Sequence, residues 1–281
     1  MSLVVNTNVA SMNAQRALMH SSRELQTAME RLSTGKKINS AADDAAGFAI
    51  AESMTAQIRG LSMAAKNAGD GLSLLKVVEN ATNDVTDMLQ RIRELAVQAK
   101  SGTNSTGDIA NLQLEANALM DEISRVSEST TYNGVAYIGS EAGDVFIQVG
   151  YKDGDNIKLT THSVNAIDLG LVDDANTNGV TDPGEYLDIA SATALTTIGS
   201  AIDTVAGYKA SWGAGQNRLE YTVSNLMNVV EFTSSARSRI QDADFAVEAA
   251  KLAKAQVLQQ TGTAMLAQAN ASPQLAISLI S

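Results

Sequence analysis

The sequence predicts a mainly α protein: a long antiparallel helical bundle or coiled coil formed by N- and C-terminal helices, with a small β-hairpin in the middle. Three observations carry this. Apolar residues recur in alternating steps of three and four over two long stretches, which places a stripe along a helix and favours a helical neighbour. Only 2 prolines occur in 281 residues, so little interrupts the helices. The apolar period changes to two only near residues 144–161, around an Asp-Gly pair of the kind that turns a hairpin. Aromatics are 4% of the chain against 44% hydrophobic residues, and alanine supplies much of the difference. Such a composition favours helices packed along narrow seams over one thick core.

Taken in order, Val4, Leu18, Leu25 and Leu32 fall on one heptad position, with Ser11 the exception. A second stripe runs Leu61, Ala65, Ala68, Leu72, Leu75, Val78, Thr82, Val85, Leu89, Ile92, Ala96, Ala99. A continuous helix from about residue 43 to 100 would be roughly 85 Å long at 1.5 Å per residue. Gly69 and Gly71 count against it, each costing about 1 kcal/mol relative to alanine. After a turn-rich stretch at 101–107, Asp108 is predicted to cap a third helix, with Ile109, Leu112, Ala116, Leu119, Ile123 and Val126 on one face. Val145, Ile147 and Val149 then alternate with Phe146 and Gln148, and Asp153-Gly154 leads to Ile157 and Leu159. Residues 165–186 are rich in Asp, Asn and Gly and read as loop. Helix resumes near Ser191, and a seam follows: Val205, Tyr208, Trp212, Gly215, Leu219, Thr222, Leu226, Val229, Thr233, Ala236, Ile240. Phe245, Ala249, Leu252 and Ala255 continue it. Neither terminal helix can bury its stripe alone. The economical arrangement pairs residues 1–42 with 243–281 as one discontinuous domain, leaving 43–242 as a second that carries the hairpin near 144–161 and a surface loop at 171–188. Narrow alanine-rich stripes leave apolar surface that one chain does not cover, which points to self-association.

Composition excludes several functions. Twenty basic residues against 31 acidic ones give a net charge of −11, the wrong sign for a nucleic-acid or anionic-membrane partner. With no cysteine there is no disulfide, thiolate metal site or cysteine nucleophile. His20 and His162 lack ligand spacing and read as surface or packing residues. No run is long and apolar enough to span a membrane, and the N-terminal residues lack a basic leader followed by an apolar block, so export would leave this end uncleaved. Gly35-Lys36-Lys37 lacks the earlier glycine and following hydroxyl of a phosphate loop. Asp43-Asp44 is explained by a helix start, where the dipole favours negative charge. No catalytic constellation emerges, and no enzyme activity is expected.

One metal-like motif stands out. Across residues 174–185, Asp174, Asn176, Asn178 and Asp182 put oxygen side chains at positions 1, 3, 5 and 9 of a twelve-residue calcium loop. Gly179 occupies position 6, the carbonyl of Val180 position 7, and Glu185 the bidentate position 12. Thr181 replaces the usual apolar anchor, and the upstream segment is short for a flanking helix. The alternative is a solvated polar loop. No cofactor is otherwise required, and calcium in the 174–185 loop is the single candidate.

The terminal seams carry a resemblance. Val5-Asn6-Thr7-Asn8, the run from Arg31-Leu32-Ser33-Thr34-Gly35 through Ala45-Ala46-Gly47, and Leu89-Gln90-Arg91-Ile92-Arg93-Glu94-Leu95-Ala96-Val97-Gln98 are similar to bacterial flagellin. So are Gln216-Asn217-Arg218-Leu219-Glu220, Ala236-Arg237-Ser238-Arg239-Ile240-Gln241-Asp242-Ala243-Asp244 and Met265-Leu266-Ala267-Gln268-Ala269-Asn270. The resemblance covers nearly the whole chain and implies a self-assembling subunit of the extracellular flagellar filament, in a short form without the large outer domains. It implies an inner tube of terminal helices, with Val4, Leu18, Leu25, Leu32, Phe245, Leu252, Met265 and Leu266 as assembly residues, and an outer tube from the middle. Partners implied are other copies of the chain, the export chaperone, the filament cap and the hook–filament junction proteins. A Toll-like innate immune receptor joins them, at Gln90, Arg91, Arg93, Glu94, Leu95 and Glu115. Trp212 and Gly215 stand where the family usually has aliphatic residues. The alternatives are a hook–filament junction protein and, further off, a secreted calcium-binding interaction module.

Overall fold

A computed structural model describes residues 7–173 and 186–278, with side chains as far as Ser272. Five helices and one two-stranded sheet follow in order: α1 (Val9–Thr34), α2 (Ala45–Ala99), α3 (Thr106–Ser129), β1 (Asp144–Gln148), β2 (Asn156–Thr160), α4 (Ala194–Gln241) and α5 (Phe245–Ser278). The mainly α expectation with one hairpin holds. By compactness the chain divides into residues 1–58 with 231–281, and residues 59–230.

The second unit holds the main core. Along α2 the residues Ala68, Leu75, Val78, Thr82, Val85, Leu89, Ile92, Ala96 and Ala99 are all buried, as their three-four spacing requires. The helix runs through both Gly69 and Gly71 without a break, so packing outweighs their intrinsic cost. The first turn of α3 differs from expectation. Ser105 is its cap, accepting from the Asp108 amide, while the Asp108 carboxylate accepts from the Ser105 amide and hydroxyl. Asp108 is the returning half of a capping box rather than the cap itself.

In the antiparallel hairpin Val145 lies opposite Leu159 and Ile147 opposite Ile157. Gly154, with φ +86°, supplies the left-handed turn. The segment after the hairpin is irregular, as its composition suggests, but its apolar side chains are buried. Thr161, Val164, Ala166, Leu169, Leu171 and Val172 are buried, and Val164 N–H donates to the Ile138 carbonyl and Leu171 N–H to the Ala166 carbonyl. Among the polar residues between them Asp168 is exposed and His162, Ser163 and Asn165 are half-buried, so average polarity conceals the buried apolar positions. A Val172–Tyr186 bridge follows.

Trp212 resolves the substituted position in α4. Its ring is 1% exposed, and its indole N–H donates to the Thr160 carbonyl at 3.0 Å. Tyr208 packs next to it and stacks on His162, ring centroids 4.1 Å apart. Gly215 makes room: a Cβ there would lie 3.2 Å from Leu75 and 3.5 Å from Leu159. The bulky indole and the missing methyl are one arrangement that lets the hairpin settle on α4. The α4 seam departs from prediction at Val229, which is exposed; Val230 instead packs with Leu61, Ala64 and Leu226.

In the first unit α1 and α5 run antiparallel. Asn8 caps α1 by accepting from the Ser11 amide, and Gly35, at φ +70°, ends it. The chain then turns back along the start of α5's connection, with Lys37 N–H on the Gln241 carbonyl and Ala243 N–H on the Gly35 carbonyl. Ile38 is buried there. This accounts for Gly35-Lys36-Lys37: it is a helix stop and a bridge, with no phosphate geometry.

Candidate functional site

The α1–α5 pair is built on small residues. Ser11, Ser21 and Ala28 are the buried positions of α1. Ser21 and Ala28 stand three residues after Leu18 and Leu25, so the two sets form the a and d positions of one heptad seam. The hydroxyl of Ser21 donates to the Ala255 carbonyl at 3.1 Å, that of Ser11 to Asn270 Oδ1 at 2.7 Å, and Asn8 Nδ2 to the Ala269 carbonyl at 2.7 Å. A Cβ on Gly262 would lie 3.0 Å from Leu18. Leucine periodicity alone pointed to the larger half of this seam. Ser11 stands in the leucine register, and Ser21 and Ala28 were the missed half.

A buried ion cluster closes the other end. Glu248 is 5% exposed and accepts from Lys251 Nζ at 2.8 Å and from Arg31 Nη1 at 3.4 Å. The Lys251 hydrogen bond, with the charges of Lys251 and Arg31, holds the Glu248 carboxyl below its ordinary value although burial works against this. Arg31 Nε is buried without a partner among the described residues.

The predicted assembly residues divide between two environments. Leu18, Leu25, Leu32, Leu252 and Leu266 are half-buried, whereas Phe245 and Met265 are exposed. Val4 lies outside the described residues. Beyond the predicted set, Val9, Met12, Met19, Met29, Val247, Val257 and Leu258 are also exposed. An apolar groove runs beside Ala14, Ala17, Leu258, Gly262 and Met265.

The predicted receptor residues gather on neighbouring turns of α2 and α3. Arg91 reaches across to Glu115, with Nε and Nη2 at 2.9 and 2.8 Å from one carboxylate oxygen, and along its own helix to Glu94 at 3.0 Å. These bonds, Glu94 first and then Glu115, raise the guanidinium above its ordinary value. Gln90, Arg93 and Glu94 are exposed around it and line a shallow depression with Val97 and Gln98. Leu95 is different. It is 0% exposed and belongs to the core, because it continues the buried face of Ile92 and Ala99 at helical spacing. Val97, 57% exposed, is the apolar side chain on the surface here.

His20 is exposed beside Glu24, 3.5 Å away, and His162 is a packing residue. Asp43 accepts from the amides of Asn39 and Ser40, and Asp44 from that of Gly47. Asp44 thus serves the start of α2, as expected, whereas Asp43 holds the turn before it; backbone hydrogen bonds from Ser40 and Asn39 lower the Asp43 carboxyl. The calcium-like residues Asp174, Asn176, Asn178, Val180, Asp182 and Glu185 lie outside the described residues. Their flanks are an irregular buried segment on one side and the stretch before α4 on the other, not a helix pair.

Residues 5–138 match the bacterial flagellin N-terminal helical region, and residues 195–280 match the bacterial flagellin C-terminal helical region. A flagellin of Halalkalibacterium halodurans is 39% identical over 278 residues, covering 99% of this chain and 100% of that protein. Flagellin A of Vibrio cholerae is 34% identical over 378 residues, with 100% of each chain covered. The crystal structure of Bacillus cereus flagellin is 25% identical and covers 57% of this chain and 88% of that one, with a TM-score of 0.48.

Proposed function

Because this chain belongs to the bacterial flagellin family, it is a structural subunit of the extracellular flagellar filament, and we propose that copies join through the outward faces of α1 and α5. The observation that supports this is the composition of α5. Ala246, Val247, Ala249, Ala250, Leu252, Ala253, Ala255, Val257 and Leu258 surround its axis, yet α1 covers only one flank. A helix apolar on all sides belongs in an interior, and further copies supply one. In this reading residues 1–42 with 243–281 line the inner tube and 43–242 the outer one. The role is structural rather than catalytic. The comparisons favour the filament subunit over a junction protein or a calcium-regulated module.

Salt-induced polymerisation of the purified subunit, viewed by negative stain, tests the surface. Val257→Asp and Met265→Asp should abolish filaments and leave helicity unchanged; filaments of ordinary length from both variants would sink the reading. The same uncovered faces would need shielding before assembly, which suits the proposed export chaperone. The cap and junction proteins would meet them at filament ends. Export with the N-terminal end retained is part of the proposal, and the mass of the secreted subunit checks it.

The Arg91–Glu115 surface, with Gln90, Arg93 and Glu94, is the proposed Toll-like receptor site. Its support is the ordered ion-paired patch itself; Leu95 acts from beneath. Calcium at Asp174 to Glu185 is proposed on the ligand pattern alone. Three carboxylates and no flanking helix pair suit weak affinity, about 10⁻⁴ to 10⁻³ M, as in extracellular modules. Calorimetric titration should show binding in the parent and none in Glu185→Gln. Identical traces for the two would remove calcium from the account.

A further inference from the structure

The chain has 10 methionines and no cysteine, so oxidative chemistry at sulfur falls entirely on thioethers. Their placement is uneven. Met120, in α3, is 0% exposed, whereas Met12, Met19 and Met29 on α1 and Met265 on α5 are 51%, 60%, 54% and 64% exposed; Met63 on α2 and Met227 on α4 are exposed too, but lie off the α1–α5 pair. Met12 and Met19 are seven residues apart, two helical turns, and share a flank. That flank is turned away from the Ser11 and Ser21 hydrogen bonds to α5. Met265 stands at the lip of the apolar groove along Ala14, Ala17 and Leu258.

We propose that Met12, Met19, Met29 and Met265 are peroxide-oxidation sites that gate assembly: their sulfoxides block incorporation of a free subunit, and incorporation protects the thioethers. This rests on the reading of α1 and α5 as the assembly surface, with a second copy of the chain as the occupant. A sulfur lone pair attacks one oxygen of hydrogen peroxide, the O–O bond breaks, and the departing hydroxide takes the proton to leave as water. Sulfur loses two electrons and the peroxide gains them. The product exchanges a flexible apolar contact for a polar, chiral one. On an exposed helix flank that change is tolerated; pressed against another copy, it leaves an unpaired sulfoxide oxygen away from water.

The test treats soluble subunit and assembled filament with hydrogen peroxide, maps the one-oxygen mass gain by peptide, and measures seeded elongation. Met12, Met19, Met29 and Met265 should oxidise in the subunit, as should the exposed Met63 and Met227, while Met120 does not, and elongation should fall by about tenfold for each sulfoxide on α1 and α5 that assembly buries. Combined methionine sulfoxide reductases of both stereochemical classes should restore it. The variant Met12→Leu, Met19→Leu, Met29→Leu, Met265→Leu should elongate after peroxide as it does before. Full sulfoxidation at these positions with undiminished elongation would overturn the proposal, as would equal peroxide sensitivity in the leucine variant. Should that variant elongate poorly untreated, the mapping decides: protection of the four sulfurs in filament supports the proposal, and equal oxidation in both states overturns it. Normal elongation of the untreated Val257→Asp and Met265→Asp variants instead refutes the assembly surface itself, a separate failure.

Discussion

Leu95 and Arg91 stand four residues apart on α2 and do opposite jobs, so substituting each separates packing from recognition. Leu95→Ala empties part of a filled core and should cost about 2–5 kcal/mol, seen as a lower melting temperature. Arg91→Ala touches only surface ion pairs and should leave melting nearly unchanged while reducing receptor activation in a reporter assay. Loss of activation with Leu95→Ala but not with Arg91→Ala would mean the ion-paired patch is not the contact. Glu248 gives a second residue-scale expectation. Its folded carboxyl is depressed by Lys251 and Arg31, so its contribution to stability is present above the unfolded value near 4.3. That contribution is lost as pH falls through the lower folded value. Acid melts of the filament-free subunit should show this loss, and Glu248→Gln should flatten it; a parallel pH profile in both proteins would contradict the assignment. At this scale the sequence was legible where periodicity governs. Most of the quoted α2 seam is buried, with Ala65 and Leu72 half-buried, while Leu74, Ala81 and Leu95 are buried just outside it. Motif resemblance drew Leu95 to the surface, whereas the Ile92–Ala99 spacing would have kept it inside.

Among the elements, two glycines in α2 separate propensity from packing. A Cβ on Gly69 meets nothing within 4 Å, while one on Gly71 would lie 3.1 and 3.3 Å from two atoms of Ile147. Gly69→Ala should therefore stabilise the subunit by about 1 kcal/mol, the helix propensity difference. Gly71→Ala should gain less or destabilise, since the hairpin side chain must shift to admit a methyl. Equal stabilisation by both, measured by denaturant unfolding, would mean that the hairpin does not press on α2. The sequence could not distinguish these glycines because the difference comes from a strand about 75 residues away in sequence, whose contact is tertiary rather than periodic. The stretch read as loop from residue 165 is irregular where it is described, but the burial of its start was hidden for a related reason. Its polar residues dominate the composition, and its buried residues follow neither period two nor 3.6. The hairpin, in contrast, is a short-range arrangement that the sequence displays directly; at the start of α3 the short-range pair was legible only in part, since the cap expected at Asp108 is Ser105.

For the whole molecule, the decisive asymmetry is between a unit whose core is filled by Trp212, Met120 and Ile123 and one whose helix pair meets along serine and alanine. The alanine-rich seam buries little apolar area per residue, at about 25 cal/mol per Å², while ordering each residue's backbone costs about 1–2 kcal/mol. The α1–α5 pair in a free subunit is then held mainly by hydrogen bonds at Asn8, Ser11 and Ser21 and by the Glu248 cluster. Assembly adds the missing apolar contacts. Removing residues from Ala264 onward takes away the partners of Asn8 and Ser11, Ala269 and Asn270, and the exposed Met265. The shortened protein should keep the thermal transition reported by Trp212 fluorescence, because that indole sits against Thr160 and Tyr208 within residues 59–230. It should fail to polymerise on seeds. Amide exchange supplies the complementary measurement: residues of α1 and α5 should exchange within the lifetime of local opening in the subunit and become protected in the filament, while Leu89, Ile92 and Ile123 stay protected in both. Equal protection of α1 in subunit and filament would show that the pair is already a finished core, and the assembly surface would have to be sought on α4, where Tyr221 and Phe232 are exposed.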